Sequence, residues 1–122
     1  MPHIILECSD NIVEEIDLAV VGSDIHGIFI KLSDTFKLGT LRTRVVRGDY
    51  HIADGNNNNS FVHANIELIA GRPLELKKAL IDEVIIYLNG YFSETLAKQN
   101  CVVSVELREI DPELFKYAKV PA

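Results

Sequence analysis

A chain of 122 residues fits one domain, since domains most often run to about 100–150 residues and two independent cores would be hard to build from it. Hydrophobic content of 48% and charged content of 25% fit a folded chain, and a formal net charge of −6 argues against a general nucleic-acid binder, whose phosphate contacts need clustered Lys and Arg. Every long apolar stretch is broken well before the roughly 18–20 residues of a membrane-spanning helix, and no basic-then-apolar leader is seen, so the expected compartment is the cytoplasm and no membrane partner is expected.

The segment from His3 to Cys8 is short, β-branched and apolar, and reads as a strand that places Pro2 at a structured edge. The apolar positions Ile16, Val20, Ile25, Ile28, Phe29 and Leu32 then recur at helical spacing, which predicts an amphipathic helix within 12–33. Its start is open: Asn11 with Glu14 resembles a capping box, but Asp17 before Leu18 is an equally good N-cap, which would leave 11–17 as a turn. From Thr40 to Arg47 the alternation predicts a strand with Arg42 and Arg44 on one face and Leu41, Thr43 and Val45 on the other.

Residues 53–60 are turn chemistry throughout and predict an exposed connection. Phe61 to Ala70 alternates as a second strand, with Val62, Ala64, Ile66, Leu68 and Ala70 on the core face and His63, Asn65 and Glu67 on the polar one. Gly71-Arg72-Pro73 turns the chain into a helix, with Pro73 at its first position and Ala79, Leu80, Val84, Tyr87, Leu88 and Tyr91 as the buried stripe. Cys101 to Leu107 is a last alternating strand, and Asp111-Pro112 introduces a short helical turn.

This order predicts an α+β fold in two layers, a duplicated β-α-β unit with pseudo-repeats at about 2–50 and 60–110. Right-handed crossovers set two helices on one face of a four-stranded sheet. The uncovered face then gains burial by self-association, so a homo-oligomer is expected.

Few side chains offer chemistry. Cys8 and Cys101 lie in strands without CxxC spacing and read as core residues rather than a bridge. The histidines His3, His26, His51 and His63 show neither HxxxH nor HExxH spacing, and no Gly-rich phosphate loop is present, so no metal and no cofactor are expected. His63 has no evident triad partner and reads as structural. Arg44 reads as a partner for an acidic residue across the sheet. On this acidic background the arginines at 42, 44, 47 and 72 suggest an anionic ligand, because the guanidinium fork pairs bidentately with carboxylates and stays charged when partly desolvated. Pro2 adds a second possibility. If Met1 is trimmed, Pro2 becomes a free secondary amine; burial and nearby arginines disfavour its protonated form, and a neutral amine is a competent general base. Many intracellular chains begin Met-Pro for no catalytic reason, so the dipeptide carries little weight alone.

Read in order, Met1 to Glu7, Arg42-Thr-Arg44-Val-Val-Arg47, Ala53-Asp-Gly55, Phe61-Val-His63 and Ala70-Gly-Arg72-Pro-Leu-Glu75 fall into one pattern. The chain resembles the 5-carboxymethyl-2-hydroxymuconate Δ-isomerase family of the tautomerase superfamily over nearly its whole length. That resemblance implies a homotrimer of duplicated β-α-β subunits and Pro2 as the catalytic base. It also implies Arg42 and Arg72 as substrate-binding groups and a di- or tricarboxylate substrate drawn from aromatic-compound (homoprotocatechuate) catabolism. The alternatives are a promiscuous tautomerase of phenylpyruvate-type enols, a decarboxylase or hydratase-like relative using Pro2 as an acid, and a non-enzymatic trimeric ligand-binding module.

Overall fold

The computed structural model describes residues 2–118. Strand β1, His3–Ser9, buries Ile4, Leu6 and Cys8 and leaves His3, Ile5 and Glu7 half-buried, as period-2 alternation requires of a sheet covered on one side. Strands β2 (Arg42–Gly48), β3 (Asn59–Ile69) and β4 (Asn100–Ile110) complete a sheet of order β2-β1-β3-β4. β1 pairs with β2 in parallel and β3 with β4 in parallel, and the antiparallel β1–β3 pair joins the halves. This is the duplicated β-α-β architecture that the sequence pattern predicts.

Helix α1 (Leu18–Leu32) and helix α2 (Leu74–Tyr91) cross over between the parallel strands and pack on one sheet face. Val21, Ile25 and Phe29 from α1 and Leu80, Val84 and Leu88 from α2 join the even-numbered side chains of β1 and β3 in one core. Each such side chain, fully removed from water, contributes about 1.5–3 kcal/mol of transfer free energy. Among the described residues no helix covers the other face. It carries Arg42, Arg44, His63, Asn65 and Glu67 beside exposed apolar side chains, Val102 at 62% and Val46 at 40% exposure.

The structure settles the start of α1. Asp17 is the N-cap, its carboxylate accepting from the Val20 amide at 3.3 Å, and 11–17 is not helical. Asn11 and Glu14 are engaged far along the chain instead. The Glu14 carboxylate accepts from the amides of Glu94 (3.0 Å) and Thr95 (3.1 Å) and from the Thr95 hydroxyl, so it caps a third helix, α3 (Ser93–Lys98). Two helices were expected and α3 was not; α2 breaks at Phe92 (φ −98°, ψ 23°), whose fully buried ring anchors the kink.

Further corrections concern single residues. Val20 is 47% exposed and Val21 takes its place in the core, because the helix that starts at Leu18 presents 21, 25 and 29 on one stripe. Pro73 is the N-cap of α2 rather than its first helical residue, with Lys77 donating to the Pro73 carbonyl at 3.2 Å. An unanticipated 3₁₀ turn, Leu38–Thr40, leads into β2.

Candidate active site

The site expected from the sequence requires three residues from distant parts of the chain to come to one end of the sheet, and the topology places them there. β1 and β2 are parallel neighbours in register His3↔Arg42, so both begin at the same end of the sheet. β3 runs the other way beside β1, in register His3↔Glu67, and therefore finishes there. Pro2, Arg42 and Arg72 thus lie just before β1, at the head of β2 and just past the tail of β3. Pro2 is buried, and its carbonyl accepts the Arg42 amide at 3.1 Å, extending the ladder one residue beyond β1.

The two guanidinium groups are held without being neutralised. Arg42 bends back so that Nη1 donates to the Gly39 carbonyl at 2.8 Å and the Leu41 carbonyl at 3.3 Å. The 3₁₀ turn is what presents those oxygens. Arg72 follows Gly71, whose φ of +128° is open to glycine and strained for other residues, so the turn that delivers Arg72 depends on that glycine. The Arg72 Cζ lies 4.4 Å from the centre of the Phe36 ring, and its Nε is buried with no hydrogen-bond partner. Among the described residues neither Arg42 nor Arg72 forms a salt bridge. Carbonyls and a ring face orient an arginine but leave its charge uncancelled, so each guanidinium keeps a local positive field that suits an anion.

His26 reports on that field. Its Nε2 is 2.7 Å from the Thr43 hydroxyl, and burial together with the nearby Arg42 guanidinium holds the imidazole below its ordinary pKa. The remaining sequence candidates are elsewhere. His63 bonds through Nδ1 to Ser104 Oγ at 2.7 Å and lies 3.7 Å from Glu106, on the open face and among structural contacts. Arg44 shares that face with Glu7, Glu67, Glu106 and Arg108 but makes no salt bridge among the described residues, so the cross-sheet pair expected for it does not form. The depression they line contains none of Pro2, Arg42 or Arg72. Cys8 and Cys101 are unbridged, and burial pushes the Cys8 thiol up to about 11, an inert group. Sequence reasoning missed Phe36 and the Gly39 carbonyl. An aromatic residue inside the polar loop Asp34-Thr35-Phe36-Lys37 was the available signal for the first.

The family model described as 5-carboxymethyl-2-hydroxymuconate isomerase matches residues 2–120. The chain belongs to this isomerase family. A curated relative, the 5-carboxymethyl-2-hydroxymuconate Delta-isomerase of Escherichia coli, is 34% identical over 130 aligned positions that cover 100% of this chain and 98% of the relative. The crystal structure of a 5-carboxymethyl-2-hydroxymuconate isomerase from Deinococcus radiodurans R1 superposes with a TM-score of 0.89 at 27% identity, covering 98% of this chain and 90% of that one. A structure described as a fused 4-OT wild type symmetric trimer shares the fold, with a TM-score of 0.70 at 19% identity over 95% of this chain and 91% of that one. Membership of the family accords with the α+β architecture and with the isomerase class that the ordered motifs suggest.

Proposed function

We propose that this chain isomerises 5-carboxymethyl-2-hydroxymuconate from its dienol to the conjugated 2-oxo-3-ene, with Pro2 as the base and Arg42 and Arg72 as carboxylate-binding groups. The observation that carries this reading is that Pro2 and two arginines outside any salt bridge among the described residues lie at the same end of the sheet, in a chain whose family is named for that reaction. Once Met1 is removed, the neutral Pro2 amine takes the proton of the 2-hydroxyl, and C2–O becomes a carbonyl. The C2=C3 electrons form the C3=C4 bond, and the C4=C5 electrons take a proton at C5 from the prolinium. One proton leaves oxygen and one arrives at carbon, so no cofactor is consumed. Two carboxylates of the tricarboxylate substrate sit on Arg42 and Arg72, which fixes the diene against Pro2 and stabilises negative charge growing on the 2-oxygen.

The working enzyme is proposed to be a homotrimer closed through the open sheet face. Its exposed Val102 and Val46 beside a polar centre suit burial against further copies, and the structural neighbour described as a symmetric trimer shares the fold. Among the described residues no helix is long and apolar enough to cross a membrane.

The deciding experiment follows the conjugated product by ultraviolet absorbance with purified protein and 5-carboxymethyl-2-hydroxymuconate, beside a monocarboxylate enol of the phenylpyruvate type. Turnover that favours the tricarboxylate is expected. Equal or better turnover of the monocarboxylate would move the protein to the promiscuous tautomerases, and an intact mass that retains Met1 would remove the amine base altogether.

A further inference from the structure

Phe36 is an aromatic residue in a polar loop, yet it is only 3% exposed, so its ring is held by the fold rather than displayed to solvent. One edge meets Phe29 at a centroid distance of 5.0 Å and an interplanar angle of 69°. Phe29 is fully buried on α1 and leaves its neighbour little freedom to turn. The free ring face lies under the Arg72 guanidinium, with Cζ 4.4 Å from the centroid. No carboxylate of a described residue is paired with Arg72, and Nε is buried without an acceptor. The ring is therefore the contact that orients this long side chain within its own subunit. The choice of contact has a chemical consequence. An Asp or Glu would also hold an arginine but would cancel its charge and occupy its donor fork, whereas a π face attracts the cation and leaves the donors available.

We propose that Phe36 is a positioning residue that holds the Arg72 guanidinium at the Pro2 end of the sheet, and that it thereby sets affinity for the substrate carboxylate bound by Arg72. Phe36 is too buried to touch substrate itself. This inference rests on the reaction proposed above.

Steady-state kinetics on the trimmed protein test it, with Phe36→Leu, Phe36→Tyr, Arg72→Ala and the Phe36→Leu/Arg72→Ala double variant. Removing a partly buried cation–π contact predicts a loss of about 3- to 30-fold in kcat/KM for Phe36→Leu, carried mainly by KM. Phe36→Tyr, which keeps the π face, restores most of it. In the Arg72→Ala background Phe36→Leu should cost almost nothing more, because the group it positions is gone. An equal loss in both backgrounds would show a packing defect and overturn the proposal, as would unchanged kinetics in Phe36→Leu alone. A substrate-free readout runs alongside: the ¹⁵N-detected Nε–H resonance of Arg72, assigned from its absence in Arg72→Ala, is expected to be shielded by the ring and to move downfield in Phe36→Leu. A resonance that stays put overturns the proposal. A wild-type protein that turns over none of the tricarboxylate would defeat the proposed reaction alone, and the Nε–H shift would still decide the role of Phe36.

Discussion

The two ends of the sheet are built from similar polar material and treat it in opposite ways. At the end where β1 finishes and β3 and β4 begin, the side-chain amides are engaged with neighbouring polar groups, although Asn11 Oδ1, Ser60 Oγ and Gln99 Oε1 are buried without a partner. Asn11 Nδ2 donates to the carbonyls of Asn57 (2.9 Å) and Asn59 (2.7 Å), Asn59 Nδ2 donates to Asp54 at 3.0 Å, and Asn100 Nδ2 donates to Asn59 Oδ1 at 3.0 Å. Ser9 Oγ accepts from the Phe61 amide at 3.0 Å, and Gln99 Nε2 donates to the Asn11 carbonyl at 2.7 Å. At the Pro2 end Lys77 pairs with Glu109 at 2.8 Å, but Arg42 leans on two carbonyls and Arg72 on a ring, and neither arginine forms a salt bridge among the described residues. Polar groups that satisfy one another hold the fold, and those left uncommitted are available to a ligand. The Asn-rich run, which reads as a plain exposed connection in the sequence, is a staple across three strands.

If this division of labour holds, substitutions at the Pro2 end should cost activity and spare stability, and those at the Asn end the reverse. The largest effect is expected for Pro2→Ala. Exchanging the ring-held secondary amine for a freely rotating primary α-amine weakens the positioned base and predicts a fall of up to about 10²–10⁴-fold in kcat, with the melting temperature and oligomer unchanged. Full activity in that variant would sink the mechanism. Arg72→Ala should follow, lowering kcat/KM by about 10- to 100-fold, the equivalent of one charged hydrogen bond of about 1.5–3 kcal/mol, and mostly through KM. A melting temperature that fell in step with activity would break the contrast, because it would make Arg72 part of the scaffold.

Asn11→Ala probes the opposite end. It leaves the Asn57 and Asn59 carbonyls without their side-chain donor and should destabilise the fold by about 1–3 kcal/mol in urea titration, with kcat per folded molecule unaltered. The smallest effect concerns acid. Burial alone would raise the Glu14 pKa, but the Thr95 hydroxyl and the amides of Thr95 and Glu94 outweigh it and lower it from 4.5. A carboxylate depressed in the folded state adds stability that is present above its unfolded pKa and lost as pH falls through the folded one. Glu14→Gln should therefore flatten the fall in stability below about pH 4.5. An identical acid limb in the variant would assign that limb to other carboxylates.

Much of this was legible in the sequence because it is local. Alternation marks β1 and β3, helical spacing marks α2, and Arg42 and Arg44 share a strand face by period 2 alone. Asn11 and Glu14 show where local reading fails. Their spacing mimics a capping box, but their side-chain acceptors and donors lie 46 to 81 residues away, and nothing in a short window separates the two uses. Val20 and Val21 differ in burial because a helix start moved to Leu18 rotates the stripe, and an apolar pair cannot say which member faces inward. Phe36 stands out in the sequence only as an aromatic residue in a polar loop, and its partner Arg72 lies outside any local window.

The sequence by itself determined the duplicated pattern of strands and crossover helices, and it singled out Pro2, Arg42 and Arg72 as residue types suited to proton transfer and carboxylate binding. That they share one end of the sheet was decided only by the tertiary structure. Two parallel strands and one antiparallel neighbour bring the starts of β1 and β2 and the end of β3 to one edge, and strand order is a long-range property that no local periodicity encodes. The packing also decided that neither arginine meets a carboxylate of the described residues, because whether a charge is cancelled depends on what the rest of the chain sets against it.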